Sequence, residues 1–242
     1  MNQSVRRNCR DRRSLLEKLK AFDTPTICNA LELIDAKYRV TGFTTKPLVC
    51  PFPDLPPIVG YARTASIRAT HANELDGKAA KAQRVGYYEY VAEGGPAPSV
   101  MIIQDLDGAD MGFGAFWGEV QSAVHRGLGC EGVVTDGCIR DIPQWAPKFQ
   151  ALAGSVMPSH AWVHLADYGR EVRVAGMVVK SGDLIHADRH GACVIPHAVA
   201  AKIPAACDVL TRKEAVILGA ARAKGFGISQ LRDALNKMDE IH

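Results

Sequence analysis

The stretch "GVVTDGCIRD", Gly132–Asp141, combines the pattern of a buried strand with two charged residues beyond its end, and the predicted fold depends on it. Its first four residues, Gly132–Thr135, are small or β-branched and uncharged, which predicts a buried strand. Asp136-Gly137 is a turn dipeptide. The chain then presents a fixed cation, Arg140, beside a fixed anion, Asp141, past the end of the strand. Since ligands of open α/β sheets bind beyond the carboxyl ends of strands, the stretch predicts an α/β domain with a site at this edge.

The segments around this stretch alternate strand and helix patterns, and an antiparallel-looking β-patch follows them. Strand patterns occur in "IVGYARTASIRAT" (58–70) and "SVMIIQDLDG" (99–108). Helix patterns occur in "NELDGKAAKAQRVGYYEYVAEGG" (73–95) and "FWGEVQSAVHRGLG" (116–129). Short β-runs separated by glycine turns fill "REVRVAGMVVKSGDLIHADRHGACVIP" (170–196). This order predicts a mixed α/β domain.

Helical patterns also flank this core. "RRSLLEKLKAF" (12–22) has helical spacing, and Asp23 and Thr24 are N-cap candidates for the helix that follows. Five prolines between Lys46 and Gly60 predict an ordered surface loop. The tail is predicted to be helical, with breaks at Pro204 and around Gly225–Gly227.

We therefore divide the chain into three parts. Residues 1–22 are a basic helical extension, residues 23–196 the core domain, and residues 197–242 a helical segment that packs on the core or on a neighbouring subunit. The arginines crowded into "MNQSVRRNCRDRR" predict a solvated, frayed terminus.

Composition excludes several classes of protein. A net charge of +3 is too small to indicate a nucleic-acid or membrane partner. The seven cysteines are odd in number and never spaced as CxxC, which argues against a disulfide framework and a thiolate zinc site. The sequence contains no apolar run long enough to span a membrane. A reducing compartment, the cytoplasm, is the expected location.

The chemistry is suggested by two features in combination. The N-terminus of the helix that starts near Glu119 has free peptide N–H groups that suit a carboxylate, although most such ends bind only water or a capping side chain. Arg140 and Asp141 alone would also fit a surface ion pair. Together, an anion cradle, a guanidinium and a hard oxygen ligand for Mg²⁺ or Mn²⁺ fit a 2-oxo acid whose enolate is stabilised during C–C bond cleavage.

The stretch "WGEVQSAVHRGLGCEGVVTDGCIRD" (117–141) resembles the signature of the class II pyruvate aldolases of the 4-hydroxy-4-methyl-2-oxoglutarate aldolase type. That family also contains RraA-like regulators of ribonuclease E and proteins once misnamed demethylmenaquinone methyltransferases. Its pattern is an acid, twenty residues, then Arg-Asp, which Glu119, Arg140 and Asp141 match. "DTPTICNAL" (23–31), "GYARTASI" (60–67) and "VKSGDLIHADRHGACVIP" (179–196) resemble further family landmarks.

The resemblance implies a fold, an assembly and a set of roles. The fold would be a swivelling β/β/α-type domain in homotrimers or homohexamers, with sites at subunit interfaces and an acid from a neighbour. Gly118, Glu119, Val120 and Gln121 would line the pyruvyl group, and Arg140 would bind the keto oxygen. Asp141 would bind the metal directly and Glu119 through water.

Two departures from the family pattern stand out. Glu119 occupies a position that is commonly Asp, and its longer arm should still reach metal-bound water. Regulators often carry an acid three positions after the Asp, where this chain has Gln144, which disfavours the regulator reading.

Four histidines form pairs spaced by four: His160 with His164, and His186 with His190. Such spacing would place each pair on one face of a helix or strand, which allows a metal or substrate site. The alternative is that they hydrogen-bond turns in the β-patch. If functional, they would recognise the distal part of the substrate or act as acid and base.

The leading hypothesis is a metal-dependent lyase that cleaves a 4-hydroxy-2-oxo acid to pyruvate and a second carbonyl compound, with oxaloacetate decarboxylation as a side activity. The alternatives are a non-catalytic RraA-like regulator that binds an RNA-processing enzyme, and another 2-oxo-acid lyase or hydratase.

Overall fold

The computed structural model describes residues 14–241, so the arginine-rich run in residues 1–13 lies outside the described residues. Its helices are α1 (which includes residues 14–19), α2 (Thr24–Ile34), α3 (Gly77–Glu93), α4 (Glu119–Gly127), α5 (Ile203–Ala221) and α6 (Ile228–Asp239). Its strands are β1 (Ile58–Arg68), β2 (Ser99–Asp105), β3 (Cys130–Thr135), β4 (Cys138–Ile139), β5 (Gln150–Leu152), β6 (Ser155–Val156), β7 (His164–Tyr168), β8 (Val172–Val174), β9 (Met177–Val179), β10 (Leu184–Asp188) and β11 (Gly191–Ile195).

The main sheet is mixed and is organised around β1. Its order is β11-β10-β1-β2-β3-β5, and β7 also pairs with β1. The first half of β1 pairs antiparallel with β10 and its second half antiparallel with β7, so two strands share one edge and the sheet curls. On the other edge, β2, β3 and β5 are parallel. The predicted mixed α/β domain is confirmed.

The parallel strands follow from the sequence pattern. Parallel neighbours need a crossover connection, and α3 and α4 supply it between β1 and β2 and between β2 and β3. Asp76 caps α3 by accepting a hydrogen bond from the Ala79 N–H at 2.7 Å, and Gly94 ends the helix. Because these strands are covered on both faces, β2 and β3 are almost entirely buried.

The buried side chains gather around the sheet in clusters. One cluster lies under α3 and α4 and includes Tyr87, Trp117 and Phe149. Another joins α1, α2 and α5 to β10 and β11 through residues such as Leu19 and Ile203. A third lies beneath the β8–β9 hairpin.

Several local predictions can be compared with the structure. Asp23 caps α2 as predicted, since its carboxylate accepts a hydrogen bond from the Thr26 N–H at 2.9 Å. The antiparallel β-patch is confirmed by the β8–β9 and β10–β11 pairs. The break at Pro204 is wrong: this proline lies in the first turn of α5, where its missing N–H costs no helical hydrogen bond. The interruption near Gly225–Gly227 is confirmed, because it separates α5 from α6.

None of the helices in residues 14–241 combines the length and apolarity needed to cross a bilayer.

Candidate active site

Arg140 and Asp141 lie against the start of α4. They follow β4, a two-residue strand that the sequence pattern did not predict. Trp117 pairs with Ile139, and the Arg140 N–H donates to the Trp117 carbonyl at 2.9 Å. Asp141 Oδ2 accepts the Glu119 N–H at 3.4 Å and lies 3.5 Å from Arg140 Nε. The guanidinium, the carboxylate and the helix start therefore form one cluster, as expected from the sequence.

Gly118 makes this approach possible. It is the N-cap residue of α4, and its backbone is extended (φ −162°), so any residue could adopt this conformation. The requirement is steric, because a Cβ at this position would collide with Asp141 Oδ2 and lie 3.3 Å from Arg140 Cγ. The absence of a side chain thus lets residues 140 and 141 reach the helix tip.

We expect Gly118→Ala to lower turnover by about tenfold or more while the protein remains folded, because the new methyl group displaces Asp141 from the helix tip by a fraction of an ångström. Steady-state kinetics and a thermal melt of the variant test this. Gly127→Ala is the matched control, since a Cβ at the last residue of α4 would meet open space. Equal turnover in both variants would contradict the steric argument.

The first turn of α4 leaves donors for a ligand. Its first intrahelical bond runs from the Ser122 N–H to the Gly118 carbonyl at 3.0 Å. The N–H groups of Val120 and Gln121 precede this bond, and no carbonyl within the helix can accept from them. They lie at the positive end of the helix dipole, which favours an anion.

A cavity of about 290 Å³ opens over this cluster. Of the residues predicted for the site, Gly118, Val120, Gln121, Arg140, Asp141, His160 and His164 line it. Glu119 is adjacent in the chain but is not among the lining residues, and neither are His186 and His190. Among the described residues that line it, two carry guanidinium groups, Arg84 and Arg140, and one carries a carboxylate, Asp141. This charge balance suits an anionic ligand.

One wall of the cavity comes from α3, which the sequence interpretation did not connect with the site. Ala80, Gln83, Arg84 and Tyr88 face the cavity. The Tyr88 hydroxyl donates to Gln121 Oε1 at 3.1 Å and so orients that amide. The spacing 80, 84, 88 is a signal that places these residues on one helix face, but only the tertiary fold shows that this face meets α4.

A buried histidine anchors α4 below the cavity. His125 Nδ1 donates to the Gln121 carbonyl at 2.7 Å, and His125 Nε2 lies 2.7 Å from the Tyr87 hydroxyl. Burial lowers the pKa of His125 to about 4, so the ring is neutral at pH 7 and its Nε2 accepts a hydrogen bond from the Tyr87 hydroxyl. This pair fixes the helix whose tip forms the site.

Two buried acids brace the loop that leads to α4. Asp105 accepts the Gly112 N–H at 2.8 Å, and Asp136 accepts the Asp105 N–H at 2.8 Å. Burial raises the pKa of both carboxyls. The ends of β2 and β3 are thereby tied to each other and to the loop that leads to α4.

The oxygen ligands at the site suit a hard cation that keeps most of its water. They do not form a closed coordination shell of protein side chains. Within residues 14–241 there is no group of three or more His, Cys, Asp or Glu side chains that could hold a metal ion. The Asp141 side chain is, however, 40% exposed and faces the cavity. Glu119 is the first residue of α4, at the helix tip that Asp141 contacts. Mg²⁺ commonly takes one or two carboxylates and keeps several waters. Asp141 could therefore hold such an ion directly, with Glu119 acting through water.

The two histidine pairs have different surroundings. The ring nitrogens Nδ1 of His160 and His164 contact main-chain carbonyls, of Ala161 at 2.7 Å and of Trp162 at 2.8 Å. His160 precedes β7 and His164 begins it, so the expectation that this pair shares one regular face is wrong. Both nevertheless line the cavity.

The second pair lies elsewhere in the fold. His186 is buried in β10, 3.0 Å from Thr24 Oγ1, and burial lowers its pKa. His190 lies in the β10–β11 turn, 3.0 Å from Asp188 Oδ1. Strand β10 ends at Asp188, between the two residues, so this pair does not share a face either.

Comparisons with known proteins place the chain in context. A family model described as RraA-like (Aldolase/RraA) matches residues 24–194. A protein of Marinomonas sp., provisionally named a 4-hydroxy-4-methyl-2-oxoglutarate aldolase, is 36% identical over 109 residues, which cover 44% of this chain and 65% of that protein. The chain spans about two thirds of the length of the curated relatives it matches.

Two solved structures share the fold. An uncharacterized protein from Pseudomonas syringae pv. tomato superimposes with a TM-score of 0.68 at 21% identity, over 91% of this chain and 93% of that chain. RraAS2 of Streptomyces coelicolor, described as an unusual member of the RNase ES inhibitor RraA family, superimposes with a TM-score of 0.64 at 21% identity, over 83% and 93%. At this identity the likeness shows the architecture only.

Proposed function

The chain belongs to the RraA-like family, and we propose that it is a divalent-metal-dependent lyase that cleaves a 4-hydroxy-2-oxo acid to pyruvate and a second carbonyl compound. The family includes proteins named as aldolases and proteins named as RNase inhibitors. Membership alone therefore does not choose between catalysis and partner binding, and the residues of the site carry the proposal.

The single observation behind the proposal is the meeting of three groups in one cavity: the α4 tip at Gly118, the Arg140 guanidinium and the Asp141 carboxylate. A surface that only binds another protein has no evident need for a cation and an anion held against an open helix N-terminus. A 2-oxo acid uses all three.

The residues act as follows in this proposal. The N–H groups of Val120 and Gln121 bind the substrate carboxylate at the helix tip. Arg140 donates to the keto oxygen, and its hydrogen bonds strengthen as that oxygen becomes the enolate oxygen. Asp141 would hold Mg²⁺ or Mn²⁺, with Glu119 acting through water, and such an ion would supply Lewis-acid stabilisation of negative charge on the substrate. Loss of CO₂ from oxaloacetate produces the same enolate, so decarboxylation should accompany cleavage.

We expect purified protein to release pyruvate from at least one 4-hydroxy-2-oxo acid and from oxaloacetate when Mg²⁺ or Mn²⁺ is present. EDTA should abolish this activity, and excess metal should restore it, because the ion stabilises the enolate. Pyruvate is followed by coupling to lactate dehydrogenase across a panel of 4-hydroxy-2-oxo acids. Absence of pyruvate from every substrate with both metals would overturn the proposal in favour of a non-catalytic regulator, whose partner binding should not depend on metal.

A further inference from the structure

Two imidazoles in the cavity wall have a defined protonation pattern. Carbonyl oxygens only accept hydrogen bonds, so the contacts of Nδ1 with Ala161 O in His160 and with Trp162 O in His164 place a hydrogen on each Nδ1. In a neutral ring this leaves Nε2 as a free proton acceptor. We propose that His160 Nε2 is the general base that removes the C4 hydroxyl proton of the substrate, an inference that rests on the proposed lyase function.

The backbone that carries His160 is tied to the segment that leads into α4. The Ala115 N–H donates to the Ser159 carbonyl at 2.9 Å. Gly114 allows the two segments to approach this closely, because a Cβ there would lie 2.6 Å from the His160 carbonyl oxygen and 2.9 Å from Ala161 Cβ. Residues 114 and 115 come shortly before Trp117 and Gly118, so the backbone at His160 is held in register with the tip of α4. A base fixed in this way needs little rearrangement when substrate binds.

His164 also has contacts outside the cavity. It pairs with Arg68 as the first residue of β7, and its ring meets the His71 ring edge-on at 5.8 Å. It also lines a neighbouring depression with Arg68, His71 and Glu74, which does not include Arg140 or Asp141. Of the two imidazoles, His160 is therefore the one whose neighbour in the chain, Ser159, is bonded to the segment that leads to the α4 tip.

The other groups in the wall do not suit this role. Asp141 is committed to the ion and to Arg140 in the proposed function, and Glu119 does not line the cavity. Arginine remains protonated in proteins, so neither Arg84 nor Arg140 can accept a proton. Imidazole is the side chain most often used as a general base.

The electron balance of the step closes within the substrate, and the proton balance closes with solvent water. His160 Nε2 takes the proton of the C4 hydroxyl, the C4–O bond becomes a carbonyl, and the C3–C4 bond breaks. Its electron pair forms the C2–C3 double bond, and the C2 carbonyl electrons move to the oxygen held by Arg140. A proton then reaches C3 from solvent water while Nε2 releases its own proton to solvent, and the keto form of pyruvate results. No oxidant or further reactant is required.

The experiment separates base catalysis from general damage to the site. Oxaloacetate loses its C4 as CO₂ and has no hydroxyl proton to give up, so its decarboxylation needs the enolate site but not the base. We expect His160→Gln to lower kcat for cleavage of 4-hydroxy-4-methyl-2-oxoglutarate, or of the best substrate in the panel, by about 10²–10⁴-fold. Oxaloacetate consumption should stay within about threefold, since removing the base does not weaken enolate stabilisation.

Two further measurements complete the test. Oxalate, a stable mimic of the pyruvate enolate, should bind His160→Gln with unchanged Kd by calorimetry. His197→Gln is the matched control, because His197 is an exposed histidine bonded to the Gly182 carbonyl and does not line the cavity. It should cleave both substrates normally.

Each outcome is decisive. Selective loss of aldol cleavage in His160→Gln supports the assignment. Three results would overturn it and leave the lyase function standing. The first is full cleavage by His160→Gln, and the second is an equal loss of both reactions and of oxalate binding in that variant. The third is a selective loss of cleavage in His164→Gln in place of His160→Gln. Wild-type protein that releases pyruvate from neither substrate would overturn the lyase function and this inference together.

Discussion

Arg140→Ala should lower pyruvate release from both oxaloacetate and a 4-hydroxy-2-oxo acid by about 10²–10³-fold, the usual cost of removing one donor to a developing oxyanion. Both reactions pass through the same enolate, so both should fall together. Arg140→Lys should recover only part of the loss, because an ammonium keeps the charge but lacks the planar fork. Initial rates with saturating Mg²⁺ or Mn²⁺ measure the effect.

The fold should not respond to this change. The Arg140 side chain is 35% exposed, and its ion pair with Asp141, at 3.5 Å, is of the kind that contributes at most about 1 kcal/mol. The main-chain bond to Trp117 survives in alanine. Arg126→Ala is the matched control, since Arg126 forms a comparable exposed pair with Glu131 at 3.8 Å near the end of α4. Near-normal turnover of Arg140→Ala would show that the guanidinium is not in the reaction.

Much of the architecture follows from local sequence, and the remainder depends on distant contacts. The strands β1, β2 and β3 are rich in apolar and β-branched residues, and α3 is marked by Asp76 and Gly94. The pairing of β1 with both β7 and β10 could not be predicted locally. These two strands come from segments far along the chain, and no local pattern predicts which edge of the sheet they join. The strand β4 has two residues, too few for any periodicity to show.

The same distinction applies to the site. The proximity of Glu119, Arg140 and Asp141 could be inferred, because the helix start and the segment after the next strand both belong to the carboxyl edge of the sheet. The α3 wall with Arg84 and Tyr88 could not, since its position depends on how a helix packs across the sheet. The histidine pairs misled because spacing by four implies a shared face only within one regular element, and each pair straddles an element boundary.

Asp141→Asn should abolish activity that depends on the metal and also weaken metal binding itself. Asparagine is nearly isosteric, can accept the Glu119 N–H through its amide oxygen, and tolerates the left-handed backbone at this position (φ 55°), which alanine would strain. The substitution therefore removes the charge alone. A metal ion contributes several kcal/mol of transition-state stabilisation, so a loss of about 10³-fold in turnover is expected.

Binding of Mn²⁺, followed by electron paramagnetic resonance, provides a readout that does not require catalysis. The Kd of Asp141→Asn for Mn²⁺ should rise by about tenfold or more, because the variant loses the carboxylate that faces the cavity. Asp233→Asn, an exposed carboxylate on α6 that does not line the cavity, should bind Mn²⁺ as the wild type does. If Asp141→Asn keeps both its affinity for Mn²⁺ and its turnover, the ion is bound elsewhere. The role of Asp141 would then be to position Arg140 and the helix tip. The amide of the variant could still fill that role, because its oxygen can accept the Glu119 N–H.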